Sequence, residues 1–145
     1  MRYCDRADIG QSIPLTTLVN LSSDDPLAVD PDEAVITRAV DQADELIDAH
    51  LRGRYTLPLA PVPGVLRDIA VNLARHWLYS RRPEGNGFPE AVTRTYKAGL
   101  ETLVAIRDGK VTLGVSPGGP AAPEPGEVKM RAPTRRFDRD VLDRY

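Results

Sequence analysis

The sequence predicts an all-α fold, a small bundle of three main helices with short N-terminal elements and an extended C-terminal arm. Three observations lead there. Apolar residues recur at three- and four-residue steps in three long stretches, the signature of amphipathic helices. Those stretches are bounded by proline or glycine, which start and stop helices. The 14 residues from 114 to 127 hold four prolines and four glycines, too little apolar material to build a core.

The first long helix is expected over residues 31–53. Asp30 supplies an N-cap, Pro31 suits the first helical position and Glu33 completes a capping box. Ile36, Ala39, Val40, Ala43, Leu46, Ile47, His50 and Leu51 make one apolar face, with Asp41, Asp44, Glu45, Asp48 and Arg52 opposite. The second, over 63–81, turns Val65, Leu66, Ile69, Ala70, Leu73, Ala74, Trp77 and Leu78 into a wide apolar arc, which makes it the most enclosed helix. The third, over 89–108, carries Val92, Tyr96, Gly99, Leu103 and Ile106 and stops at Gly109. Residues 55–63 hold three prolines in nine residues and predict an extended crossing. Before residue 30 the pattern is ambiguous: Asp5 to Gly10 fits one helical turn, and Leu15 to Leu21 fits a short helix or an extended piece.

These signals divide the chain into a helical domain (1–113), a Pro/Gly-rich linker (114–127) and a C-terminal arm (128–145). Fully extended, the linker reaches about 45 Å. The arm has six Lys or Arg against three Asp, a net +3, and the rest of the chain has 13 Lys or Arg against 18 Asp or Glu, a net −5. Body and arm therefore carry opposite charge. In the arm, Val128 and Met130 alternate with Lys129 and Arg131, the period-two pattern of a strand that joins another sheet's edge. Phe137, Val141, Leu142 and Tyr145 follow at helical spacing, in a segment too short to persist alone as a helix. The arm, Tyr145 included, is expected to order on a partner, with Phe137, Val141 and Leu142 as apolar anchor and arginines such as Arg131, Arg135 and Arg136 as complementary charge; the alternative is a disordered tail or one folded back on its own domain.

Composition narrows the function. A net charge of −2 and a pI near 5.7 give no general pull toward nucleic acid. The single cysteine, Cys4, excludes an internal disulfide and points to a reducing environment. No apolar stretch reaches the length of about 18 residues that a membrane span needs, and the N-terminus has no leader-like apolar core. Gly114-Val115-Ser116-Pro117-Gly118 spells a hydrolase elbow, but both histidines, His50 and His76, precede the serine and a proline-rich stretch follows it. No nucleophile, base and oxyanion donors group together, so no enzyme, cofactor or metal site is expected. His50 is expected to be a hydrogen-bonded core residue. Arg54 is expected to cap carbonyls and Tyr55 to pack, and Gly85-Asn86-Gly87 to form a turn.

The run Gly53-Arg54-Tyr55-Thr56-Leu57-Pro58-Leu59, then Pro61-Val62-Pro63, Ile69 to Arg75 and Leu78-Tyr79, resembles the Mu-like phage and prophage family of small head-completion proteins. The helix after Asp30, the helix bearing Tyr96 and Leu103, and the turn Asp108 to Gly114 also fit. The resemblance covers about residues 1 to 114 and weakens beyond. It implies a structural head-tail connector subunit in the virion neck, present in the host cytoplasm during assembly. Such subunits form a ring, of twelve by resemblance, below the portal protein and extend the DNA channel toward a tail or neck protein. The partners implied are the portal, neighbouring copies and the tail or neck protein, with DNA passing through unbound and no membrane. An acidic stripe of Asp41, Asp44, Glu45 and Asp48 is compatible with lining that channel, since like charge repels phosphate; an ordinary solvated helix face, helped by an Asp48–Arg52 pair, is the plainer reading. The alternative is a helical DNA-binding or packaging-associated protein that sets Arg131, Arg135, Arg136 and Arg139 on phosphates. Asp138, Asp140 and Asp143 count against it.

Overall fold

The computed structural model describes residues 2–81 and 89–115. Among them the backbone forms five α-helices and no strand: α1 (Arg6–Ser12), α2 (Leu15–Ser22), α3 (Glu33–Leu51), α4 (Gly64–Ser80) and α5 (Glu90–Arg107). The all-α expectation holds, and the two ambiguous N-terminal stretches are both helical. α1 begins with a reciprocal capping box, in which the Asp8 N–H donates to Asp5 Oδ1 at 2.9 Å and the Asp5 N–H donates to Asp8 Oδ2 at 3.0 Å. The arm, most of the linker and the turn at residues 85–87 lie outside the described residues.

The start of α3 differs from the sequence reading. Asp32, not Asp30, is the N-cap: its Oδ1 accepts from Ala34 N–H at 2.9 Å and Val35 N–H at 3.2 Å. Both aspartates suit a cap by residue type, and the choice is made from outside the helix. Ser22, fully buried at the end of α2, donates from Oγ to Leu18 O at 2.7 Å and accepts the Asp32 N–H at 3.0 Å. That bond fixes residue 32 as the point where the chain turns into α3. The helix ends at Leu51 rather than 53, where the N–H groups of Arg54 and Tyr55 both donate to Leu51 O.

α4 is the centre of the bundle and packs against each of the other four helices. Leu66, Ala70, Ala74 and Leu78 are inaccessible along it, facing Ile36, Ile47 and Leu51 of α3, Leu103 and Ile106 of α5, Ile9 of α1 and Leu18 of α2. Val65 departs from the predicted arc and is exposed, while Trp77 is half-buried at the edge. Gly99 of α5 faces Ile69 of α4, where an added Cβ would stand 3.5 Å from Ile69 Cγ2, an ordinary packing distance. α5 ends as read: Gly109 takes a φ of +79°, and the N–H groups of Gly109 and Lys110 donate to Ile106 O and Ala105 O. The crossing between α3 and α4 contains two cis bonds, Leu57–Pro58 and Ala60–Pro61. Beyond α5 the chain stays on the body, with Leu113 and Val115 packed against the core. Val115 lies past the residue-113 boundary expected for the helical domain.

Candidate interaction surfaces

The polar side of α3 is only partly solvated. The extended N-terminal residues Arg2, Tyr3 and Cys4 lie along it; Arg2 grips one carboxylate, and Tyr3 grips two that are one turn apart. Arg2 donates to Asp41 Oδ1 at 3.1 Å, the Tyr3 N–H donates to Asp44 Oδ1 at 2.9 Å and the Tyr3 hydroxyl donates to Asp48 Oδ1 at 2.6 Å. The 41, 44, 48 spacing that puts three carboxylates on one helix face is what lets a single extended strand engage all three.

This corrects the acidic stripe. Asp41 and Glu45 are exposed, but Asp44 and Asp48 are only 6% and 9% accessible beneath Tyr3. Two of the four carboxylates are therefore structural hydrogen-bond acceptors rather than channel-lining charges. Burial raises the Asp44 carboxyl above the usual aspartate range, partly offset by the Tyr3 N–H. Burial also raises the Tyr3 hydroxyl, reinforced by its bond to Asp48 and by the charge there. The Cys4 thiol is pushed up to about 12, first by burial and then by Asp44, which makes it a poor nucleophile. A shallow acidic groove of about 390 Å³ remains beside this clamp, lined by Arg2, Asp41, Asp44, Glu45 and Asp48.

On the other flank of α3 lies a second groove of about 310 Å³, with Leu46, Leu73, His76, Trp77 and Tyr96 among its lining residues. His76 and Tyr96 stack with ring centroids 3.7 Å apart and planes 13° from parallel, which ties α4 to α5. Burial lowers the His76 pKa, so the ring is neutral at pH 7. His50, half-buried, shares a 2.8 Å hydrogen bond with Leu46 O, the core role expected of it.

The Gly53 to Leu59 motif acts at a distance in sequence. Tyr55 is buried, and its hydroxyl accepts the Leu113 N–H at 3.2 Å. The Arg54 guanidinium lies against Gly109, where any Cβ would overlap it. Tyr55 packs as expected, while Arg54 sits on the end of α5 rather than on its own helix. Leu57 and Leu59 lie in the core layer, Leu59 buried and Leu57 partly so, and Gly53 and Pro58 are exposed. One grip escaped the sequence reading altogether. Arg81 donates to Leu21 O at 2.8 Å and Ser22 O at 3.1 Å and forms a forked pair with Asp24 at 3.0 and 3.1 Å, closing the C-terminus of α2. The arm residues Val128, Met130, Arg131, Arg135, Arg136, Phe137, Val141, Leu142 and Tyr145 lie outside the described residues.

Among the described residues, no group of three or more His, Cys, Asp or Glu is placed to hold a metal ion, and no helix is long and apolar enough to cross a membrane. Two grooves flank α3, and the Arg54–Tyr55 motif lies against the turn that follows α5. Comparison with known proteins gives the chain a class: the family model described as bacteriophage Mu, Gp36 matches residues 3–132. The chain belongs to this phage Mu family, and the match continues past residue 114, where the resemblance was expected to weaken. Among its relatives, "Gene product J" of Escherichia phage Mu is 35% identical over 94 residues, 65% of this chain and 63% of that protein. "Mu-like prophage FluMu protein gp36" of Haemophilus influenzae is 34% identical over 91 residues, 63% of this chain and 61% of that protein. The match thus spans somewhat less than two thirds of either relative.

Proposed function

We propose that the protein is a structural subunit of the phage head-tail junction, assembling as a ring below the portal and docking through residues 128–145. Membership in the phage Mu family carries this reading, and the structure supplies a physical basis compatible with it. The described body presents grooves and a rigid turn at its surface. The tail beyond it has the opposite net charge and a cluster of apolar residues ending in Tyr145, the composition of a segment that orders on a partner. On this reading the protein's activity is specific association, it sits in the virion neck without catalysing a reaction, and its partners are the portal, further copies of itself and a tail or neck protein.

Channel lining does not fall to Asp44 and Asp48, which are occupied by the N-terminal residues. Co-sedimentation of the protein with its cognate portal oligomer, with and without residues 128–145, tests the proposal. The full chain is expected to pellet with the portal and the shortened chain to stay behind. Equal binding of both forms would remove the arm from the mechanism. Salt-sensitive binding of duplex DNA in place of portal binding would favour the packaging-associated alternative.

A further inference from the structure

Two grooves flank one exposed ridge of α3, and they differ in chemistry. The aromatic one offers Leu46, Leu73, Trp77 and Tyr96, and the acidic one offers Glu45 at its rim, beside an Asp41 already paired with Arg2. A segment that fills both needs apolar and cationic side chains interleaved within a few residues. Residues 128–145 have that make-up, with Arg135 and Arg136 directly before Phe137, then Val141 and Leu142.

Reach decides whose groove is used. The described chain ends at Val115, packed on the body just after Leu113 is bonded to Tyr55. Tyr96 lies about 16 Å of helix back from the end of α5. Nineteen residues, 116–134, separate Val115 from Arg135, the first docking side chain. A chain of that length averages about 24 Å end to end as a coil and reaches about 59 Å as polyproline II. The tether matches the span, the condition under which a linked segment's effective concentration at its own site is highest, in the millimolar range.

We propose that in the unassembled protein residues 128–145 dock on their own body, with Phe137, Val141 and Leu142 in the aromatic groove and Arg135 and Arg136 against Glu45, so that the arm is withheld until a partner displaces it. The contact itself does not depend on the portal reading; only its consequence for assembly rests on that reading.

The full-length chain provides its own reporters. Trp77 is the single tryptophan and lies in the groove. Cys4 is 3% accessible with its thiol pushed up to about 12, so a thiol introduced by Ala132→Cys is labelled selectively at neutral pH. A nitroxide placed there is expected to broaden the amide signals of Leu46, Trp77 and Tyr96 to an extent unchanged by dilution. Replacing Phe137, Val141 and Leu142 together by Ala should abolish that broadening and increase acrylamide quenching of Trp77, as should Arg135→Glu with Arg136→Glu. These changes lie outside the described helices, so unaltered signals from α1 and α2 verify the fold in each sample. Broadening that fades on dilution would overturn the proposal by moving the arm to a neighbouring copy, and absent broadening, or broadening confined to another surface, would overturn it outright. Portal binding measured on the same samples can fail while the contact persists, so the two readings separate.

Discussion

At Tyr3 one side chain closes the N-terminus onto the bundle. Its hydroxyl donates to Asp48 at 2.6 Å from a site only 2% accessible, and a buried carboxylate that loses a donor forfeits about 1–3 kcal/mol. Tyr3→Phe should lower unfolding stability by that amount in denaturant titrations, and a change below roughly 0.5 kcal/mol, the background of an ordinary surface substitution, would show the bond to be incidental. Cys4 sets a pH dependence. Its folded pKa, about 12, exceeds the ordinary value of 9.0, so the folded state keeps a proton that the unfolded chain releases. This contribution is fully present below pH 9 and is lost as pH rises toward 12, at a slope approaching about 1.4 kcal/mol per pH unit. Tyr3, also raised, adds the same sign above pH 10. Cys4→Ala is expected to flatten the decline in stability between pH 9 and 10; an unchanged slope would mean that the thiol ionises in place.

Among the elements, the end of α5 is held by the motif between α3 and α4. Gly109 combines a positive φ with the Arg54 guanidinium against its α-carbon. Gly109→Ala should therefore cost about 1–2 kcal/mol for the left-handed backbone alone, more once Arg54 is displaced, and hydrogen exchange should accelerate at Leu113. Protection of Leu113 equal to that in the parent chain would show that the turn holds without this packing. The three long helices were legible in the sequence because their periodicity is local: each apolar position is set by neighbours three and four residues away. Their edges were less so. Asp30 and Asp32 are equivalent as caps until Ser22, ten residues earlier, selects one. The acidic side of α3 read as solvated for the same reason, since Tyr3 lies 41 and 45 residues from the carboxylates it covers. Arg81 and Leu21 are 60 apart, and no spacing rule joins them. Arg54 and Tyr55 stood out as a motif, but their partners after α5 became visible only in three dimensions.

Among the described residues five helices centred on α4 form the body, and residues 128–145 carry a net charge opposite to that of the rest of the chain. Arg2 and Tyr3 hold Asp41, Asp44 and Asp48, which leaves Glu45 and the aromatic groove open at the surface. Family membership places the chain among phage Mu proteins, and the proposed head-tail role gives both body and arm a use. Its central claim is symmetric docking on the portal through residues 128–145. Electron-microscopic imaging of the cognate portal mixed with the full chain tests that claim most directly. The account predicts an added ring of density below the portal with the full chain and a bare portal when residues 128–145 are removed. A bare portal with both forms, or an unchanged ring without the arm, would contradict it.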